Sequence, residues 1–235
     1  MRLISRRSVD VDEENPYWVS FSDIMAALVV IFIMASLLLL MQLVKVEQEV
    51  DSQLKQLQEA ERVRRVIVLE AAEELRQRGI EVDVAENHTV IRVPNHELGF
   101  DGGKYDISRR YQSSAKTIGE VLSSVIRRDG RSNYLDTVFL EGHTDNRPFE
   151  GPLGMDNWHL STFRAISLWE FWGASLSGEQ ALTVLRNHDG KPLFSVSGYG
   201  PTRPVIEEQL SEDEYKVNRR VDIRFTIRRP SQQEY

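Results

Sequence analysis

The strongest pattern along the chain is a run of twenty residues without a charge, Ile24 to Leu43 (IMAALVVIFIMASLLLLMQL). As a helix it spans roughly 30 Å, the thickness of a bilayer's hydrocarbon core. A cleavable signal peptide carries a shorter apolar stretch, about 7–15 residues, and here a polar helical segment follows directly. A buried core helix is the other use for such a run, but the rest of the chain holds too little apolar mass to surround it. The pattern predicts one membrane helix. Its start is expected at Asn15-Pro16, an N-cap followed by proline in the first turn, with Tyr17 and Trp18 at the headgroups.

Past the span, Leu43, Val46, Val50, Leu54 and Leu57 recur in steps of three and four among Gln, Glu and Lys, the spacing of an amphipathic or coiled-coil helix. A second helical stretch, Arg62 to Arg78, carries Val66, Ile67, Ala71 and Leu75 and stops at Gly79, a C-cap glycine. No Pro/Gly/Ser linker intervenes, so the connection reads as short and stiff. From Ile80 the period changes to two. Ile80–Val84 and Thr89–Val93 flank Glu86-Asn87-His88 as a hairpin. A Gly/Asp loop at 99–103 is followed by an expected helix over 109–127 and a strand over 135–140. Helices are expected over 157–172 and 178–186, and strands over 193–197 and 221–227. Strands mixed with helices over about 150 residues predict an α/β two-layer sandwich.

Composition narrows the function. Of 235 residues, 29 are Lys or Arg and 36 Asp or Glu, a net charge of -7, which argues against a nucleic-acid binder. The absence of cysteine excludes disulfides, thiolate catalysis and Cys-ligated metals. The histidines show no His-Glu-x-x-His spacing, and neither a Gly-x-Ser-x-Gly elbow nor a phosphate-binding glycine loop occurs, so no enzyme, metal or cofactor is expected. Arg2, Arg6 and Arg7 before the span, against Lys45 and Lys55 after it, favour a cytoplasmic N-terminus by a small margin. Trp158, Phe163, Trp169, Phe171 and Trp172 are too many aromatics for one helix face, which leaves one or two for a sister subunit.

Asp23 lies five residues beyond Trp18, roughly 7–8 Å deeper along the axis. A carboxylate at bilayer depth costs about 2.5–3.5 kcal/mol and marks ion or proton pathways. The other reading is an interfacial Asp that stays solvated and is favoured by the helix N-terminus. The residues alone leave both open. A functional Asp23 requires partner helices, and Ser20, Ser22, Ala26 and Ala27 permit their close approach.

The stretch Tyr17-Trp18-Val19-Ser20-Phe21-Ser22-Asp23-Ile24-Met25-Ala26-Ala27 resembles the start of the MotB family of stator subunits, in which an aromatic pair precedes a membrane aspartate. The resemblance implies that Asp23 carries protons. Three further fragments, Glu141-Gly142-His143-Thr144-Asp145-Asn146, Asp156 to Ala165 (DNWHLSTFRA) and Asn218-Arg219-Arg220-Val221-Asp222-Ile223, resemble in order the OmpA-like peptidoglycan-binding domain over residues 80–229. Diaminopimelate in a wall peptide presents an ammonium and carboxylates, which a neighbouring acid and arginine would hold by charge-assisted bonds. The resemblance implies Asp145 for the amine and Arg164 for the carboxylate, with Asn157 ordering the pocket and Arg220 in the closing motif.

The expected organisation is a cytoplasmic tail (1–15), a membrane helix (16–44), a helical neck or coiled coil (45–79), a periplasmic OmpA-like domain (80–229) and a short tail (230–235). What the resemblance implies is a homodimeric B-type subunit of a proton-driven stator in the inner membrane, bound to peptidoglycan and surrounded by about five copies of an A-type membrane protein (ZorA- or MotA-like). The short passage from membrane to domain favours the ZorB type of the Zorya anti-phage system over the flagellar type. A passive OmpA-like wall anchor without ion flux is the third reading.

Overall fold

The structure is a computed structural model that describes residues 16–100 and 103–230. The expected tail over 1–15, with its arginines and the Asn15 cap, lies outside the described residues, as does 231–235. The chain divides into two compact units, one up to Gln53 and one from Leu54.

The first unit holds the N-terminal part of helix α1 (Pro16–Gln77). Its apolar stretch is long and hydrophobic enough to cross a membrane, at a mean hydropathy of 3.0, and none of it is buried. The core-helix alternative therefore has no support here. Leu43, Val46 and Val50 are exposed as well.

The second unit begins with the rest of α1, and here the structure departs from the expected neck. Ile67, Val68, Ala71, Ala72 and Leu75 are fully buried in the same core as the strands. Within the expected neck, the second helical stretch over Arg62 to Arg78 turns its apolar stripe to the core, because a 3.6-residue period marks one face without saying what covers it. The two expected helical stretches are also one helix. It ends where expected, in a Schellman turn: Ile80 N donates to Leu75 O at 3.0 Å and Gly79 N to Arg76 O at 2.9 Å. Gly79 sits at φ +77°, a conformation that favours glycine. Arg128 and Arg131 clamp the helix from outside through Glu70 and Glu74.

Strands β1 (Asp83–Ala85) and β2 (Val90–Pro94) form the expected hairpin, with its turn residues 86–88 all at positive φ. Helix α2 (Asn95–Leu98), helix α3 (Gln112–Arg127), strand β3 (Leu135–His143), helix α4 (Asn157–Ser175), strand β4 (Phe194–Gly198), helix α5 (Glu212–Asn218) and strand β5 (Arg220–Ile227) complete the unit. The sheet order is β1-β2-β5-β3-β4. Among the described residues only β3 and β4 pair in parallel, with α4 as their crossover. Helices α1, α3 and α4 cover the sheet, burying Ile118, Leu122, Leu168 and Trp172 against Ile91, Leu140 and Phe225.

Two elements differ from expectation. The helix expected over 178–186 is a pair of 3-10 turns, Gly178–Gln180 and Leu182–Val184, separated by extended Ala181. Ala181, Leu182 and Leu185 each plug into the core from this irregular path. Helix α5 was not expected, although Ser211 and Glu214 cap it reciprocally, an S-x-x-E signal visible in the sequence. Of the α4 aromatics, Trp172 is core, Trp169 stacks on Phe194, and Trp158 remains exposed.

Candidate functional site

The site forms where β3 runs out against the start of α4. Gly142 makes this approach possible: a Cβ there would lie 1.9 Å from the Ser161 carbonyl oxygen. Asp156 caps α4 by accepting from Trp158 N and His159 N, fixing the direction in which the helix leaves the loop. Asp145, just past β3, and Arg164, two turns into α4, thereby line one cavity of about 310 Å³. Phe100, Phe149, Asn157, Arg147, Glu212 and Arg219 share its wall.

Asp145 is almost buried and held by two arginines. Arg147 Nη2 and Arg219 Nη1 each donate to Oδ2 at 2.7 Å, and Arg147 N donates to Oδ1 at 3.2 Å. Both guanidiniums also reach Glu212, Arg147 at 3.0 Å and Arg219 at 2.7 Å. Burial raises the Asp145 carboxyl, but the bonds from Arg147 and Arg219 outweigh it and hold it below the ordinary range. Arg164 is 3% exposed, donates from Nε to the Lys104 carbonyl at 3.1 Å and lies over the Phe100 ring. Burial, then repulsion from Arg219, lowers it to about 10, against the pull of Asp145. It stays charged at neutral pH. Asn157 donates to the Arg147 carbonyl at 2.9 Å and so holds the loop that carries Asp145.

Of the residues expected in this pocket, Asp145, Asn157 and Arg164 come together and Arg220 does not. Neighbouring residues of an extended chain point to opposite faces, so Arg219 reaches the cavity while Arg220 turns inward to Asp222, at 3.0 Å. Arg147, Arg219 and Glu212 were not singled out in the sequence. The doubled arginine at 219–220 was visible there, but strand parity alone decides which of the two serves the cavity.

Arg220 belongs to a second cluster, created by the register of β3 and β5, which sets Glu141 opposite Asp222 and His143 opposite Arg220. The ligand atoms of Glu141, His143 and Asp222 lie within 4.8 Å of one another, all buried. Arg224 donates to Glu141 at 2.8 Å, and Arg92 approaches Asp222 to 3.4 Å. A cation placed here would face Arg92, Arg220 and Arg224. The donor set suits a charge-paired pin between strands better than a metal. Burial first, then the surrounding arginines, pushes His143 down to about 2, so it is neutral.

No family model matches the chain. Motility protein B of Bacillus subtilis (strain 168) is 34% identical over 124 residues, 53% of this chain and 40% of that protein. The uncharacterised protein YtxE of the same strain is 26% identical over 134 residues, 57% of this chain and 47% of that protein. The match spans less than half the length of either relative. Among solved structures, a MotB-like protein from Desulfovibrio vulgaris aligns over 75% of this chain and 99% of its own, at 18% identity and a TM-score of 0.51. The fold is MotB-like. A long apolar N-terminal helix followed by a mixed α/β sheet domain is therefore the architecture of this chain, as the sequence pattern led one to expect.

Proposed function

We propose that the chain is the B-type subunit of an ion-driven stator: single-pass in the bacterial inner membrane, N-terminus cytoplasmic, with its domain in the periplasm on peptidoglycan. One conjunction carries this reading. A charge-free span that opens on an acid, Asp23, shares the chain with a MotB-like fold whose cavity joins Asp145 and Arg164.

Asp23 is the proton carrier. It is exposed on its helix, and a carboxylate facing hydrocarbon costs about 2.5–3.5 kcal/mol, so it calls for partner helices. A second copy of this chain, joined along Leu43, Val46 and Val50, and an A-type ring of about five MotA- or ZorA-like subunits supply them. In the periplasm, Arg164 takes a carboxylate of diaminopimelate and Asp145 its ammonium, while Asn157 keeps the loop in place and Arg220 supports the closing segment from beneath. The protein anchors and conducts and is not an enzyme; it needs no cofactor and does not bind nucleic acid. Within this class the ZorB type of the Zorya anti-phage system is favoured over the flagellar type, because the compact unit begins at Leu54, only eleven residues after the apolar run.

Asp23→Asn keeps size and hydrogen bonding but cannot titrate. In cells carrying the complete gene set, it should abolish phage protection (or swimming, for the flagellar type) at unchanged expression, with Asp23→Glu retaining part. Full activity of Asp23→Asn would leave a passive anchor. For the wall, full-length protein in detergent should sediment with purified peptidoglycan, and Asp145→Ala or Arg164→Ala should release it.

A further inference from the structure

Asp145 already has cations in its grasp. Its Oδ2 takes two guanidinium N–H groups at 2.7 Å, one from Arg147 and one from Arg219, with Arg147 Nε also at 3.3 Å, and its Oδ1 takes the Arg147 backbone N–H. A carboxylate offers about four acceptor positions. An arriving ammonium would therefore be the third positive charge on an acid whose acceptor sites are nearly filled. Oδ2 is fully taken, so the ammonium can bind there only if one guanidinium leaves.

The two arginines differ in their freedom to do so. Arg219 is 15% exposed and leads directly into β5, with Glu212 at 2.7 Å on its far side. Arg147 is 47% exposed and sits on the loop past β3. It has places to go: its Nη1 already reaches Glu212 at 3.0 Å, and its guanidinium lies 4.2 Å from the centre of the Tyr215 ring. Releasing Asp145 would let Arg147 keep both contacts.

We propose that Arg147 is a self-ligand of Asp145, a specificity-determining residue whose guanidinium occupies the position of the ligand's ammonium and is exchanged for it on binding. The inference rests on the wall-binding reading of this cavity. Its consequence is selectivity. A simple amine replaces one cation on Asp145 with another and gains little. A centre that carries an ammonium beside a carboxylate makes the same exchange and adds a bond to Arg164. Abundant amines are thereby kept off a carboxylate that a bare acid pocket would offer to all of them.

The test uses the protein in detergent and three small probes: meso-diaminopimelate, pentane-1,5-diamine as an amine without a carboxylate, and pimelate as a dicarboxylate without an amine. Affinities are compared for the parent, Arg147→Gln and Asp145→Asn, with thermal melting to verify that each variant is folded. Removing an internal competitor raises apparent affinity by the reciprocal of the open fraction. For an ion pair whose arginine is half exposed, that is about a two- to fivefold gain. Arg147→Gln should tighten meso-diaminopimelate and pentane-1,5-diamine alike by that factor and leave pimelate unchanged or weaker. The gap between parent and variant should narrow as salt rises. Loss of diaminopimelate affinity in Arg147→Gln, or equal tightening of pimelate, would overturn the latch while parent binding still depends on Asp145. If parent, Arg147→Gln and Asp145→Asn all bind diaminopimelate equally or not at all, the wall-binding reading falls and takes the latch with it.

Discussion

Where the chain is cut should decide whether its second unit folds. A fragment starting at Leu54 keeps the C-terminal part of α1; one starting at Ile80 removes it. The second cut strips Ile67, Val68 and Leu75, all 0% exposed, from the core, with Ala71 and Ala72 beside them. Burying one such branched side chain contributes about 1.5–3 kcal/mol, so the three together are worth about 5–9 kcal/mol. The total stability of a domain is about 5–15 kcal/mol. The ion pairs of Glu70 and Glu74 with Arg128 and Arg131 add little, being at least partly solvent-exposed. The loss is thus comparable with everything that holds the fold together.

Urea unfolding followed by tryptophan fluorescence measures this directly, since buried Trp172 packs against α3 and donates to the Ala115 carbonyl at 2.6 Å. With a urea dependence of about 1–3 kcal/mol per M for small proteins, the shorter fragment should lose at least about 2 M in midpoint or show no cooperative transition. Leu75→Ala in the longer fragment, at about 2–5 kcal/mol, should fall between. If the two fragments unfold within about 0.5 M of each other, α1 is a neck after all and its buried face contributes nothing to the domain.

Three further outcomes follow from the geometry. His143 is held neutral in the fold, so the unfolded chain takes up its proton first: its stabilisation is complete above about pH 6.5 and is lost, by up to about 1.4 kcal/mol per pH unit, as pH falls below that value. Denaturation midpoints measured from pH 7 to 4.5 should therefore decline less steeply in His143→Gln than in the parent. Gly142→Ala drives a methyl into the Ser161 carbonyl and should destabilise the fold by about 1–3 kcal/mol or more; sedimentation with peptidoglycan should fall with it as α4 shifts from β3. In this cysteine-free chain, single cysteines at Val46 or Val50 should crosslink between copies faster than cysteines at Gln48 or Asp51, and equal rates at all four would argue against a seam.

What could be read from the sequence and what could not divide along a physical line. Signals carried by neighbours in the chain were legible: the charge-free span, the hairpin around Glu86-Asn87-His88, the Gly79 stop, and Asp145 and Arg164 within their motifs. The stripe in the last turns of α1 was visible but its cover was not, because Val66, Ile67, Ala71 and Leu75 have the same spacing whether a sister helix or a sheet lies against them. Across the cavity the difficulty was parity. Arg219 and Arg220 are adjacent and chemically identical, and only the point at which β5 becomes extended sends one to the cavity and the other to Asp222. Arg147 is different again. Its sequence position, two residues after Asp145, says nothing unusual, and its role appears only when α5 brings Glu212 and Tyr215 across to offer the guanidinium a second place to rest. A motif can therefore name the acid and the arginine that line one cavity. Whether that acid is open is decided by residues far along the chain, and a pocket transferred by motif alone would have been credited with an open Asp145.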